Sequence, residues 1–139
     1  MKYEHILTIL PVIYPRFYSS FDNNGNEFIF LLLEDQKREN FYDVDDKTQL
    51  EALMNHFHLF EKVGEKNKNV ITCICSTIAK NLLNVLTKNY PEKKFVVYLE
   101  VNPKDSVIVR FHQIWENEIP YIDVKCLKNK NNQVFEYKN

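Results

Sequence analysis

Apolar residues early in the chain recur at helical spacing, with Ile6, Leu10, Ile13 and Phe17 on one face. Pro11 and Pro15 interrupt the pattern, because each removes an amide donor and disfavours helix at the residue before it. The spacing predicts a broken helix over residues 3–20, with Pro11 near the start of its second piece and a turn at Asp22-Asn23-Asn24-Gly25. Residues 27–33 fit two elements. As a strand they are buried on both faces; as a helix they start at an Asn26 N-cap and continue through Glu34–Arg38. The good helix formers that follow favour the helix.

Asp46 is placed to cap a helix over residues 47–63, with Leu50, Leu53, Met54, Phe57 and Phe60 on one face and Gly64 at its end. A second helix is predicted over residues 70–89, where Ile71, Ile74, Cys75, Ile78, Leu82, Val85 and Leu86 make a long stripe that Pro91 stops. The period then changes to two. Phe95, Val97, Leu99 and Val101 share one face of a strand over residues 94–101; Val107, Val109, Phe111, Gln113 and Trp115 share one face of another over residues 106–115. Both apolar sets turn inward only if Val101 faces Val107 and Leu99 faces Val109, which needs an odd-numbered loop around Pro103-Lys104-Asp105. The outer face then carries Val96, Tyr98, Glu100, Ile108, Arg110 and His112. Residues 121–127 and 133–137 suggest a second hairpin across 129–132.

A chain of 139 residues with 45% apolar content and no linker or repeat reads as a single domain, 1–139, with its own core. The elements describe an α+β fold: a mainly helical N-terminal half packed on a C-terminal antiparallel sheet. Only Gly25 and Gly64 are glycine, which argues against a glycine-rich phosphate loop. Three cysteines, Cys73, Cys75 and Cys126, are an odd set for a disulfide framework and suit a reducing compartment. The N-terminus does not read as a signal peptide, and no run approaches eighteen uninterrupted apolar residues, so the expectation is a cytoplasmic protein outside the membrane.

A net charge of −1 excludes a general affinity for nucleic acid. The charge is uneven, however. Glu34, Asp35, Glu39, Asp43, Asp45, Asp46 and Glu51 crowd one segment against Lys37, Arg38 and Lys47. That segment suits a basic partner; the alternative is an ordinary solvated face.

Three constellations invite chemistry. His56 and His58 would point about 200° apart on a helix, too far to chelate one ion, and no HExxH spacing accompanies them. Cys73 and Cys75 lack the CxxC spacing and a second pair, so Cys75 reads as a small core hydrophobe. His112, Glu100 and Arg110 share one face of adjacent strands, where an imidazole beside a carboxylate can move a proton and a guanidinium can hold an anion. They support a reading as a small hydrolase or nucleotide-processing enzyme. No nucleophile motif stands beside them, which favours a structural or partner-binding role. The loop after the second strand, Trp115-Glu116-Asn117-Glu118-Ile119-Pro120-Tyr121, mixes aromatic and charged groups as recognition surfaces do. Trp115 has inward parity; Glu116, Glu118 and Tyr121 are the surface candidates.

The stretches Leu53-Met54-Asn55-His56-Phe57-His58-Leu59 and Arg110-Phe111-His112-Gln113-x-Trp115-x-Asn117-Glu118-x-Pro120-Tyr121 resemble small immunity proteins encoded beside bacterial polymorphic or contact-dependent inhibition toxins. The resemblance implies a protein with no reaction or cofactor of its own that blocks a cognate toxin, often a nuclease. The expected contacts are Glu39, Asp43, Asp45, Asp46, Glu116, Glu118 and Tyr121, facing a basic cleft.

Overall fold

Two short helices, α1 (Tyr3–Thr8) and α2 (Leu10–Ile13), lead into a hairpin of β1 (Phe17–Phe21) and β2 (Glu27–Leu31). Then follow α3 (Lys47–Met54), β3 (His56–Glu61), α4 (Lys68–Asn89), β4 (Phe95–Asn102), β5 (Ser106–Gln113) and β6 (Gln133–Lys138). The computed structural model describes residues 3–33, 43–102, 106–126 and 133–139.

The main sheet is antiparallel, in the order β3-β5-β4-β6. Its register is the one parity demands: Val101 faces Val107 and Leu99 faces Val109, and three residues separate the paired Asn102 and Ser106. Phe95, Val97, Leu99, Val101, Val107, Val109 and Phe111 therefore turn to one side and join the core. The α4 helix lies over that side with Cys75, Ile78, Ala79, Leu82, Leu83 and Leu86 buried. By length and composition α4 would also suit a bilayer, but here its inner stripe packs on β4. The α1–α2 break falls where expected, with Pro11 in the first turn of α2, where its missing donor costs little. Ile9 and Val12 add to the core from there.

Three expected helical stretches are strands. Residues 17–21 belong to β1, and residues 27–31 form β2. Asn26 cannot cap a helix because Asp22 holds it: Asp22 Oδ1 accepts from the amides of Asn24 and Asn26, both at 2.9 Å, and Oδ2 accepts from Asn26 Nδ2 at 2.8 Å. These bonds, led by the Asn26 side chain, also lower the Asp22 carboxyl below its usual range. Gly25 at φ 82 completes the turn. Phe28, Ile29, Phe30 and Leu31 are then buried on both faces, as a continuous apolar strand requires.

The helix that begins at Asp46 stops at Met54, and residues 56–61 pair with β5 as β3. Asn55 makes the break. Its side chain takes the backbone of β2, accepting from the Leu31 amide at 3.0 Å and donating to the Ile29 carbonyl at 2.8 Å. Its own carbonyl accepts from the Phe111 amide at 3.1 Å. The buried face of α3 is Thr48, Glu51 and Ala52, whereas Leu53, expected inside, is exposed. On a strand His56 and His58 share a face, and their ring centroids are 5.7 Å apart. The helical argument for separating them fails; even so, no group of three metal-capable side chains occurs among the described residues.

The second hairpin expected from residues 121–127 and 133–137 does not form among the described residues; its turn at 129–132 lies outside them. Residues 121–126 hold only a short 3-10 turn at Val124–Cys126, and β6 pairs with β4. The fold is α+β, but its first half is not mainly helical: it carries β1, β2 and β3, and the one long helix among the described residues, α4, is mid-chain.

Candidate functional site

The outer face of the sheet is roofed by residues 114–126. Val96, Tyr98, Arg110 and His112 are all buried beneath that segment. His112 donates from Nδ1 to the Gln113 carbonyl at 2.6 Å, which leaves Nε2 as the acceptor. Nε2 receives the Tyr121 amide at 3.3 Å and lies 3.3 Å from the Tyr98 hydroxyl. Burial pushes the imidazole below its ordinary value, keeping it neutral. Arg110 pairs with Glu100 at 2.9 Å, donates to the Ala52 carbonyl at 2.7 Å, and sits 4.8 Å from the Tyr121 ring centroid.

Glu100 and Arg110 are thus paired beside His112, and among the described residues Glu100 and His112 face different openings. Glu100 lines a cavity of about 320 Å³ with Ile108 and Val134, while His112 lines a separate one of about 100 Å³ with Trp115 and Ile119. His112 holds the roof through the Tyr121 amide, and Arg110, fixed by Glu100 and the Ala52 carbonyl, lies against the Tyr121 ring. Cys75 packs in the core, where burial pushes its thiol up to about 12, and Cys73 and Cys126 are exposed.

The group that sequence reasoning missed is Glu51. It is fully buried and accepts four N–H bonds: Oε2 from the Ile29 amide (2.9 Å) and Gln113 Nε2 (2.8 Å), Oε1 from the Gln113 amide (3.0 Å) and Trp115 Nε1 (2.7 Å). Burial raises its carboxyl to about 7 against the pull of these donors. With Asn55 one turn later, it joins β2, the end of β5 and the roof to α3. The available signal was the spacing of Glu51 and Asn55, four apart on the face of Ala52.

The expected contact residues come together through Glu118. Its carboxylate caps the start of α3, accepting from the Thr48 amide at 2.7 Å and the Lys47 amide at 3.3 Å, and it pairs with Lys47 Nζ at 2.9 Å. Burial alone would raise Glu118, but Lys47 and these amides hold it below the usual carboxylate range. Asn117 at φ 63 turns the chain into that position. The loop before α3, with Asp43, Asp45 and Asp46 exposed, therefore lies beside the loop of Glu116 and Tyr121. Asp46, Ile119 and Tyr121 line one shallow depression of about 130 Å³. Glu116 is exposed, and Tyr121 is half-buried against Arg110. Glu39 lies outside the described residues. Ile119, which the sequence did not single out, is 85% exposed next to Asp46. The nearby Ile114 is 49% exposed.

Neither the curated proteins nor the solved structures include a match to the chain. A family model does match, over residues 17–138, from the first strand through the last. On that span the chain belongs to the uncharacterized protein PM0498 family.

Proposed function

We propose that this chain is a stoichiometric protein-binding module that presents an acidic face to a basic macromolecular partner. The observation that carries the reading is the Glu118 clamp on α3, which ties the acidic loop before α3 to the loop of Glu116, with the exposed Ile119 next to Asp46. An apolar anchor beside like charges suits a partner with a basic rim and an apolar socket. The most concrete form of the proposal is an immunity protein of the bacterial cytoplasm that neutralises a cognate toxin, such as a nuclease with a basic cleft. The alternative, a small enzyme using His112, Glu100 and Arg110, has less support. The imidazole acceptor takes the Tyr121 amide of the roof, and the guanidinium is engaged by Glu100 and by the Ala52 carbonyl of α3.

The test is capture of the protein encoded next to this chain, using wild type and the triple variant Asp43→Lys, Asp45→Lys, Asp46→Lys. The variant loses affinity, with the greatest loss at low salt, where exposed charges act furthest. Equal capture by both proteins at all salt concentrations rejects this face.

A further inference from the structure

Glu51 is surrounded by donors alone. Its hydrogen bonds all run toward the carboxyl, two to each oxygen, and among the described residues no acceptor bonds it. Such a cage fits a carboxylate, which only accepts; a carboxylic acid carries an O–H that must itself donate. Proton uptake therefore sets an O–H against an N–H already in place, and one of the bonds has to break. Three of the donors are fixed. The Ile29 amide belongs to β2 and the Gln113 amide to β5. Gln113 Nε2 is tied a second time, to the Glu27 carbonyl at 2.8 Å. Turning that amide to offer its oxygen gives up two N–H bonds to make one O–H bond. Trp115 Nε1 is different. Its acceptor is Glu51 Oε1 at 2.7 Å, and the residue is half-buried in the roof beyond the end of β5, where water is within reach.

We propose that Glu51 is a proton-operated latch on the roof: as the carboxylate it holds Trp115 against α3, and on taking a proton from solvent it lets the indole go. In the latched form the indole packs against the Phe28 ring at 5.5 Å, with Lys47 Nζ 5.4 Å from its centroid. Release leaves the new O–H a water to donate to. Latching buries a charge, and that burial raises the carboxyl to about 7, so the latch works near neutrality. The charged and titratable groups on the elements around Glu51 are Lys47 on α3, Glu27 on β2, Arg110 and His112 on β5, and Glu116 and Glu118 in the roof. Glu27 pairs with Lys93, Arg110 with Glu100 and Glu118 with Lys47, and none of them bonds Glu51. Burial holds His112 neutral. Lys47 both lies over the indole and pairs with Glu118, so release of Trp115 is felt at the Glu118 clamp. The affinity of the acidic face for a partner then falls as Glu51 takes its proton; this consequence alone rests on the function proposed above.

Trp115 is the only tryptophan, so the full chain gives a single indole N–H signal in a proton–nitrogen correlation spectrum. That signal and the quenching of Trp115 emission by acrylamide are followed across neutral pH. Above the midpoint the indole N–H lies downfield, as a hydrogen bond to a charged acceptor requires, and acrylamide quenches weakly. Below it the signal moves upfield and quenching increases, which separates a released indole from one that only senses a nearby charge. Glu51→Gln puts a permanent donor in the cage and shows the released state at every pH. An indole N–H that keeps its position across neutrality overturns the proposal. So does quenching that stays constant, or a titration that survives in Glu51→Gln. Should that variant not fold, the first two outcomes still decide. Capture of the neighbouring gene's product above and below the midpoint is read separately: pH-independent capture with the latch intact rejects the link to the acidic face and leaves the latch standing.

Discussion

Glu51 is the residue on which most of the local structure converges. Its four donors come from three residues: Ile29 in β2, and Gln113 and Trp115 at the end of β5. Every donor favours the carboxylate, yet burial prevails and raises the group from 4.5 to about 7. The sign of the pH effect follows. Below 4.5 the carboxyl is protonated in both folded and unfolded chains; between 4.5 and about 7 only the folded chain keeps its proton. Stability therefore falls as pH rises through that window, by on the order of 3 kcal/mol for a shift from 4.5 to about 7. Chemical denaturation at a series of pH values measures it, and Glu51→Gln, the nearest mimic of the protonated form, abolishes that component. Trp115 is the only tryptophan and bonds Glu51 directly, so its emission titrates with a midpoint near 7 in wild type and not in the variant. Only its spacing from Asn55 on the face of Ala52 marks Glu51 off from Asp45 or Asp46, since a carboxylate in an acidic run looks solvated until its neighbours are placed.

At the scale of elements, α3 shows how side chains substitute for a ladder. Asn55 supplies β2 with an acceptor for Leu31 and a donor for Ile29. Asn55→Ala leaves both backbone groups buried and unpaired, and urea denaturation will show a loss of about 2–4 kcal/mol. Glu118 does comparable work at the other end of the helix. Glu118→Ala removes the carboxylate from the α3 N-terminus at a cost of about 1–2 kcal/mol, and hydrogen exchange at the Lys47 and Thr48 amides quickens. The long helix α4 and the β4–β5 hairpin were legible because each repeats one period over many residues and is flanked by clear stops. Residues 27–31 and 56–61 were not, because a short apolar run satisfies both periods. Their state was settled by Asp22 seizing Asn26 and by Asn55 turning from its own helix to β2.

For the whole molecule, the core draws on both ends of the chain. The family match begins at residue 17, yet Ile9 and Val12 ahead of it are 2% and 0% exposed. Deleting residues 1–13 removes both side chains from the core and costs about 3–6 kcal/mol, from the burial of two aliphatic side chains. Thermal melts of the truncated chain check this. An unchanged melting temperature shows that α1 and α2 pack only loosely.

Sequence alone determined the fold class, the α4 stripe, the β4–β5 register, the helix break at Pro11 and the acidic character of the segment before α3. These are local properties, set by periodicity, parity and composition. Tertiary structure decided that the outer face of the sheet is roofed, that His112 and Arg110 support that roof, and that Glu118 brings two acidic loops together. It also made Glu51 a buried junction and placed β3 at an edge of the main sheet. Each of those depends on which distant segment supplies a hydrogen-bond partner or withholds water, and neither is encoded in the spacing of residues along the chain.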